Sequence, residues 1–281
     1  MNNNIIGIDL GGTNISAGLI IKNELQEISS VKINAQGSAE EVLQELFSAT
    51  DPLINDSVTA IGIGVPGLVD LQNAVVFDVV HIPSWKKVPL QKWMEERYHL
   101  PVRINNDANC FALGEFYFGK GRDCNSMIGL TIGTGLGSGL ILNKKLFSGK
   151  YCGAGEFGMI DYLDKCYEYY CSGQYFNNVY QIDGEVVFKK ALEGNTDALR
   201  MYEEMGSHLG NAIKMILYAL DVEMIVLGGS VRHAYPFFSK MMWQQIKTSA
   251  FKKSAEDVRI EISELKNSGV LGAAALFFEN D

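Results

Sequence analysis

The chain has 281 residues, 47% of them hydrophobic and 20% charged, with 29 glycines, only 6 prolines and a formal net charge of −9; this is the profile expected of a well-packed soluble chain, long enough for two cores, and argues against extended disorder. The acidic balance, with no stripe of Lys or Arg, would repel a polyanion, so nucleic-acid binding is not expected. Five cysteines (Cys110, Cys124, Cys152, Cys166, Cys171) without framework spacing, an opening MNNNIIGIDL with no charged-then-apolar leader, and no apolar run of the ~18–20 residues a bilayer needs predict a reducing, cytoplasmic setting without a membrane partner.

In chain order, Ile5–Leu10 and Ile15–Ile21 read as two strands joined by the tight turn GGTN, with a third strand over Leu25–Ile33. A helix follows from Ser38 to Thr50, where Ser38 and Glu41 make a capping-box pattern ahead of apolar positions at helical spacing. Val58–Gly67 is an apolar strand running into a Gly-Pro-Gly turn, Trp93–Pro101 a helix with a solvated charged face, and Pro101–Gly119 a strand, a polar knot and a helix. The second half restarts with a glycine-broken pair of strands over Ser126–Leu142 and a turn at Asn143–Lys145. Then come a long helix around Ala198–Leu220, a buried strand Val222–Ser230 opening onto a helix through Gly228 and Gly229, a short strand Val258–Ser263, and a small-residue helix over Ser268–Glu279. The pattern of hairpin, helix and strand thus occurs twice, which predicts an α/β fold of two related lobes. The lobes are expected at 1–118 plus 268–281 and at 119–267, with a cleft between them.

Glycine supplies the chemistry of both hairpins. In IDLGGTN an Asp ends a strand and two glycines expose backbone amides to an anion, followed by a Thr hydroxyl; LTIGTGLGSG repeats that chemistry in the second half. Either hairpin alone is more often just a turn. Two in equivalent places, with the Gly228–Gly229 pair where a strand enters a helix, are what a nucleotide held across a cleft requires. No GxxxxGK[ST] occurs, and the first hairpin is not GxGxxG, so the P-loop and dinucleotide-binding readings are set aside. Asp107, between Asn106 and Asn109 at a strand–helix junction, would by itself be read as a helix cap. The four scattered histidines sit in no nucleophile motif, so a hydrolytic triad has no support.

Taken together, DLGGTN at Asp9, GVPGLVD at Gly64, NNDAN at Asn105, TIGTGLGSGL at Thr131, GEFG at Gly155, EMIVLGGSV at Glu223 and LGAAAL at Leu271 resemble the ROK family (repressors, open reading frames and kinases) of the actin-like, ribonuclease H-like ATPase superfamily. The resemblance spans nearly the whole chain. It implies a two-lobed fold and ATP-dependent transfer of a phosphoryl group to a hexose, glucokinase-like at the C6 hydroxyl, with Mg²⁺. By that resemblance Asp107 is the general base; Asp9, Gly11, Gly12, Thr13, Asn14, Gly133, Thr134, Gly135, Gly228 and Gly229 bind ATP; and Asp9 organises Mg²⁺ through water. Gly67, Asn106, Asp107, Glu156 and Glu168 are the implied sugar ligands.

The chain departs from the family in GEFGMIDYLDKCYEYYCSG. Met159 stands where the family has a His that reads the sugar and ligates zinc, and the loop that carries three cysteines in the family is short here; only Cys166, two residues before Glu168, has a counterpart. A thioether neither donates to a hydroxyl nor makes a good Zn²⁺ ligand, so structural zinc is not expected, and the tyrosines of this stretch are expected mainly to pack. The sugar remains open among glucose, N-acetylmannosamine, N-acetylglucosamine and fructose, and a homodimer is open as well. A ROK-type transcriptional regulator would need room for a helix-turn-helix before a first strand expected at Ile5, and a sugar-binding protein without catalysis sits poorly with Asp107 and both hairpins.

Overall fold

The structure is a computed structural model that describes residues 4–79 and 81–279; residues 1–3, 80 and 280–281, which include both ends of the expected first lobe, lie outside the described residues. The chain divides into two compact units, one made of Met1–Asp123, Gly139–Ala154 and Glu264–Asp281, the other of Cys124–Ser138 and Gly155–Ser263.

The first unit opens with β1 (Asn4–Leu10), β2 (Asn14–Ile21) and β3 (Glu24–Lys32), antiparallel neighbours with Ile5 opposite Ile20 and Leu10 opposite Ile15. Helix α1 (Ala39–Thr50) begins with the expected capping box: Glu41 N–H donates to Ser38 Oγ at 3.2 Å and Ser38 N–H to the Glu41 carboxylate at 2.7 Å. β4 (Val58–Val65) then returns parallel to β1. The short strands β5 (Leu68–Asp70), β6 (Val75–Phe77) and β7 (Lys87–Val88) form a small sheet of their own. Helix α2 (Leu90–Tyr98) starts and ends about three residues earlier than the sequence suggests, because His99 turns into the left-handed region at φ 54°. Its charged face is not merely solvated: Arg97 grips Asp51 with two hydrogen bonds of 3.2 and 2.6 Å and lies 4.3 Å over the Phe47 ring. β8 (Val102–Asn106) leads into α3 (Asp107–Phe118), completing a sheet of order β3-β2-β1-β4-β8. β1 and β4 are buried on both faces, which is why they read as continuous apolar runs instead of alternating ones.

The second unit carries β9 (Met127–Ile132) and β10 (Leu136–Leu142), which continues through Gly139 into the first unit and is followed by β11 (Lys145–Leu146). The stretch from Gly155 to Gly173 folds as a 3₁₀ turn, a minimal hairpin of β12 (Asp161–Tyr162) and β13 (Lys165–Cys166), and the five-residue helix α4 (Tyr167–Cys171). Helices α5 (Tyr175–Tyr180), α6 (Gly184–Leu192) and the 25-residue α7 (Thr196–Leu220) follow. β14 (Met224–Gly228) lies parallel to β9; α8 (Tyr235–Ile246), α9 (Lys252–Asp257) and β15 (Arg259–Ile262) complete the unit, in a sheet of order β11-β10-β9-β14-β15.

Helix α10 (Ser268–Ala275) belongs to the first unit and ends four residues short of the expected Glu279, in a turn. Val270, Leu271 and Ala274 join Ile5, Ile20 and Ala60 in a core cluster on one side of the sheet. The helix approaches so closely that a Cβ on Gly62 would overlap the Ala273 carbonyl and one on Gly272 the Cys110 carbonyl. Small residues there set the depth of packing, and each buried Val, Leu or Ile contributes roughly 1.5–3 kcal/mol.

Candidate functional site

In the first unit the sheet register lines up the chemistry. Asp9 on β1 stands opposite Gly64 on β4, which stands opposite Asn105 on β8. The strand ends that carry them are the carboxyl ends of parallel strands, where open α/β sheets bind ligands. The β1–β2 turn that follows Asp9 is closed by the Gly11 N–H donating to the Asn14 carbonyl at 3.0 Å, and a Cβ on Gly12 would press on the His81 side chain at 3.1 Å. Gly11, Gly12, Thr13 and Asn14 are thus one tight turn.

The Asp9 side chain has no hydrogen-bond or ionic partner among the described residues, and burial pushes its carboxyl up to about 6. A desolvated carboxylate without a counter-charge, at the mouth of a glycine turn, fits a cation bound directly or through water. The charges of Asp9 and Asp107 both reach the Cys110 thiol, which burial pushes far up and these carboxylates push further. The fold therefore brings Asp9 and Asp107 to the same buried sulfur.

Asp107 is not the helix cap. Asn106 is: its Oδ1 accepts the N–H groups of Ala108 at 2.9 Å and Asn109 at 3.3 Å, while its Nδ2 donates to the Gly67 carbonyl at 3.2 Å. Asp107 is the first helical residue, and its carboxylate also takes the Ala108 N–H at 2.9 Å. Asn106 is buried, with its amide committed to this internal work on both atoms. Gly67 has φ +129°, and a Cβ there would crowd the Phe77 carbonyl at 3.0 Å, so the turn needs glycine.

In the second unit the β9–β10 turn is closed by the Gly133 N–H donating to the Gly135 carbonyl at 3.0 Å, with Thr131 Oγ1 donating to Gly137 O at 3.2 Å. Thr131 on β9 stands opposite Gly228, the last residue of β14. Gly229 has φ 75°, and its carbonyl accepts from Arg232 Nη1 at 2.6 Å. A cavity of about 690 Å³ opens here, lined among others by Gly133, Thr134, Phe176, Tyr202 and Ser230, with Asp183 and Glu185 also on its wall. Its size suits a small-molecule ligand, and its aromatic walls suit a flat heterocycle. Of this lining, sequence reasoning named Gly133 and Thr134, while Phe176, Tyr202 and Asp183 are marked by no local motif; Gly228 and Gly229 are not among the lining residues.

Glu156 and Glu168 come together in this unit. Burial, and secondarily the charge of Glu168, raise the Glu156 carboxyl above its ordinary value. Glu168 sits on α4 with Oε2 accepting the Leu136 N–H at 2.9 Å. Around them the aromatic residues pack: the rings of Tyr162 and Tyr167 stack at 4.3 Å, and the Tyr162 hydroxyl meets His208 Nδ1 and Asn211 Nδ2 at 3.1 Å each. Met159 is 53% exposed. Among the described residues no group of three or more His, Cys, Asp and Glu side chains is placed to hold a metal ion, and no helix is long and apolar enough to cross a membrane.

A model of the ROK family matches residues 5–280. The chain is 28% identical to a glucokinase of Halalkalibacterium halodurans over 96% of this chain and 94% of that protein, and 28% identical to a xylose repressor of Caldicellulosiruptor bescii over 97% of this chain and 77% of that one. Among solved structures, a ROK family glucokinase from Streptomyces griseus in complex with glucose and AMPPNP has a TM-score of 0.82 at 27% identity, covering 98% of this chain and 99% of that one. The α/β architecture is accordingly that of the actin-like ATPase fold seen in ROK sugar kinases. With both sheets, both glycine turns and a family match over all but the chain ends, this protein belongs to the ROK family.

Proposed function

We propose that the protein is an ATP-dependent sugar kinase that transfers the γ-phosphoryl group to a hexose hydroxyl, the C6 hydroxyl of glucose or of a related aldohexose. The observation that carries this reading is the pairing of Asp107 with Asp9: Asp107 opens α3 at the carboxyl end of the sheet, and its charge reaches the same buried Cys110 thiol as that of Asp9, a carboxylate that lacks a counter-charge. Asp107 accepts the proton of the sugar hydroxyl as that oxygen attacks phosphorus. Backbone amides of the Gly11–Asn14 and Gly133–Gly135 turns hold the phosphate oxygens, Gly228 and Gly229 let the nucleotide approach the backbone, and the cavity beside Thr134 takes the nucleoside. Asp9 holds Mg²⁺, which when bound offsets the charge of the phosphates. Glu156 and Glu168 accept sugar hydroxyls. Asn106 acts from behind, fixing both the Gly67 turn and the start of α3.

The likeness to a xylose repressor favours a second reading, a sugar-responsive regulator. One experiment separates the two. Purified protein with ATP and Mg²⁺ is assayed for coupled ADP release against glucose, N-acetylmannosamine, N-acetylglucosamine and fructose, and the product is examined by NMR. The kinase reading predicts sugar-dependent ADP release and a phosphate ester at C6 for an aldohexose; ADP release at background with every sugar, alongside measurable sugar binding, would favour the regulator.

A further inference from the structure

Glu168 does more than point at a sugar. Its Oε2 accepts the Leu136 N–H at 2.9 Å, immediately after the Gly133–Gly135 turn. A Cβ on Gly135 would lie 2.6 Å from that same oxygen, so any larger residue here would move the carboxylate from its seat. Oε1 has no hydrogen-bond partner among the described residues. The far end of the short helix is tied to the same turn: the Ser172 N–H donates to the Glu168 carbonyl at 3.1 Å, and the Gly173 N–H to the Gly133 carbonyl at 2.7 Å. Helix α4 has five residues, too few to absorb a shift at one end before it reaches the other. Gly133 and Gly173 both line the 690 Å³ cavity.

We infer that Glu168 is a coupling residue, one carboxylate oxygen holding the Gly133–Leu136 turn and the other taking sugar hydroxyls, so that sugar and nucleotide bind cooperatively. This rests on the kinase reading above, which assigns a sugar to Glu168 and a triphosphate to the turn. The sign follows from charge. A carboxylate seated on the turn opposes a polyanion arriving there, and hydroxyls that donate to Oε1 draw off part of that charge while fixing the side chain. Sugar therefore tightens the nucleotide, and by linkage the nucleotide tightens the sugar by the same factor.

Titration calorimetry tests this with Mg²⁺ and AMPPNP, without and with glucose or N-acetylmannosamine, whichever gives a heat of binding, held well above its own Kd for each protein. The wild type is expected to bind AMPPNP about tenfold more tightly with sugar present. Glu168→Ala removes both contacts at once, and Gly135→Ala pushes the carboxylate off the Leu136 N–H while leaving the Glu168 side chain present to meet a sugar. In each, the sugar effect on the AMPPNP Kd, read as the ratio with and without sugar within the same variant whatever its affinity for AMPPNP alone, should fall to about one-fold. Glu168→Gln keeps the acceptor but removes the charge, so it should bind AMPPNP alone more tightly than the wild type. A tenfold effect that survives in both alanine variants, or a wild type that binds both ligands independently, overturns the coupling. A wild type that binds no nucleotide or no sugar overturns the kinase reading itself.

Discussion

Asp9 shows how a single residue can be held against its own preference. Its carboxyl is raised to about 6 by burial, from an ordinary value of 3.8, so the ionised form opposes folding. That cost is nearly absent below pH 4, grows as the pH rises through 6, and is fully present near pH 8. Asp9→Asn should therefore stabilise the fold at pH 8 by about 2 kcal/mol in urea denaturation, with the gain shrinking as the pH falls through 6 toward 4. A gain independent of pH, or a loss at pH 8, would contradict the account. Stability given up at a charged site is a common mark of function. Asn106 and Asp107 make the complementary point: read from sequence alone, Asp107 is the cap, whereas the fold caps α3 with Asn106, and one position of shift decides which side chain does that work. Nothing local in NNDAN makes that choice, because it is set by where β8 ends and by the Gly67 carbonyl that Asn106 also holds.

Among the elements, those legible in advance are the ones whose cause is local. The β1–β2 hairpin follows from two glycines between apolar runs, and α1 from Ser38 and Glu41, which bond as the capping box requires. The β5–β7 sheet was not legible, since strands of two or three residues show no periodicity. Helices α4, α5 and α6 lie in a polar, aromatic stretch where tertiary packing overrides local pattern, and the cavity they help line joins residues far apart in sequence. Helix α10 was visible as a small-residue run suited to close packing, but not the backbone it packs against. Its glycine at 272 sits against the Cys110 carbonyl on α3, and Gly114 of α3 against the Ser268 carbonyl. Gly272→Ala is expected to cost about 3 kcal/mol by chemical denaturation, since backbone and not a flexible side chain must move. A cost near zero would show that the two helices separate freely.

For the whole molecule, the proposed kinase reading gives Asp107 the proton of a sugar hydroxyl and gives phosphate, cation and ring to the glycine turns, the carboxylates and the cavity. The match across nearly the full chain to the ROK family fixes the fold, and likeness to both a glucokinase and a xylose repressor leaves chemistry as the point to be measured. The most direct measurement compares the wild type with Asp107→Asn, using sugar-dependent ADP release for turnover and calorimetry with Mg²⁺ and AMPPNP for binding. Loss of the base should lower kcat by about 10²–10⁴-fold while the nucleotide Kd changes by less than about threefold. An Asp107→Asn enzyme that turns over at close to the wild-type rate would contradict the account.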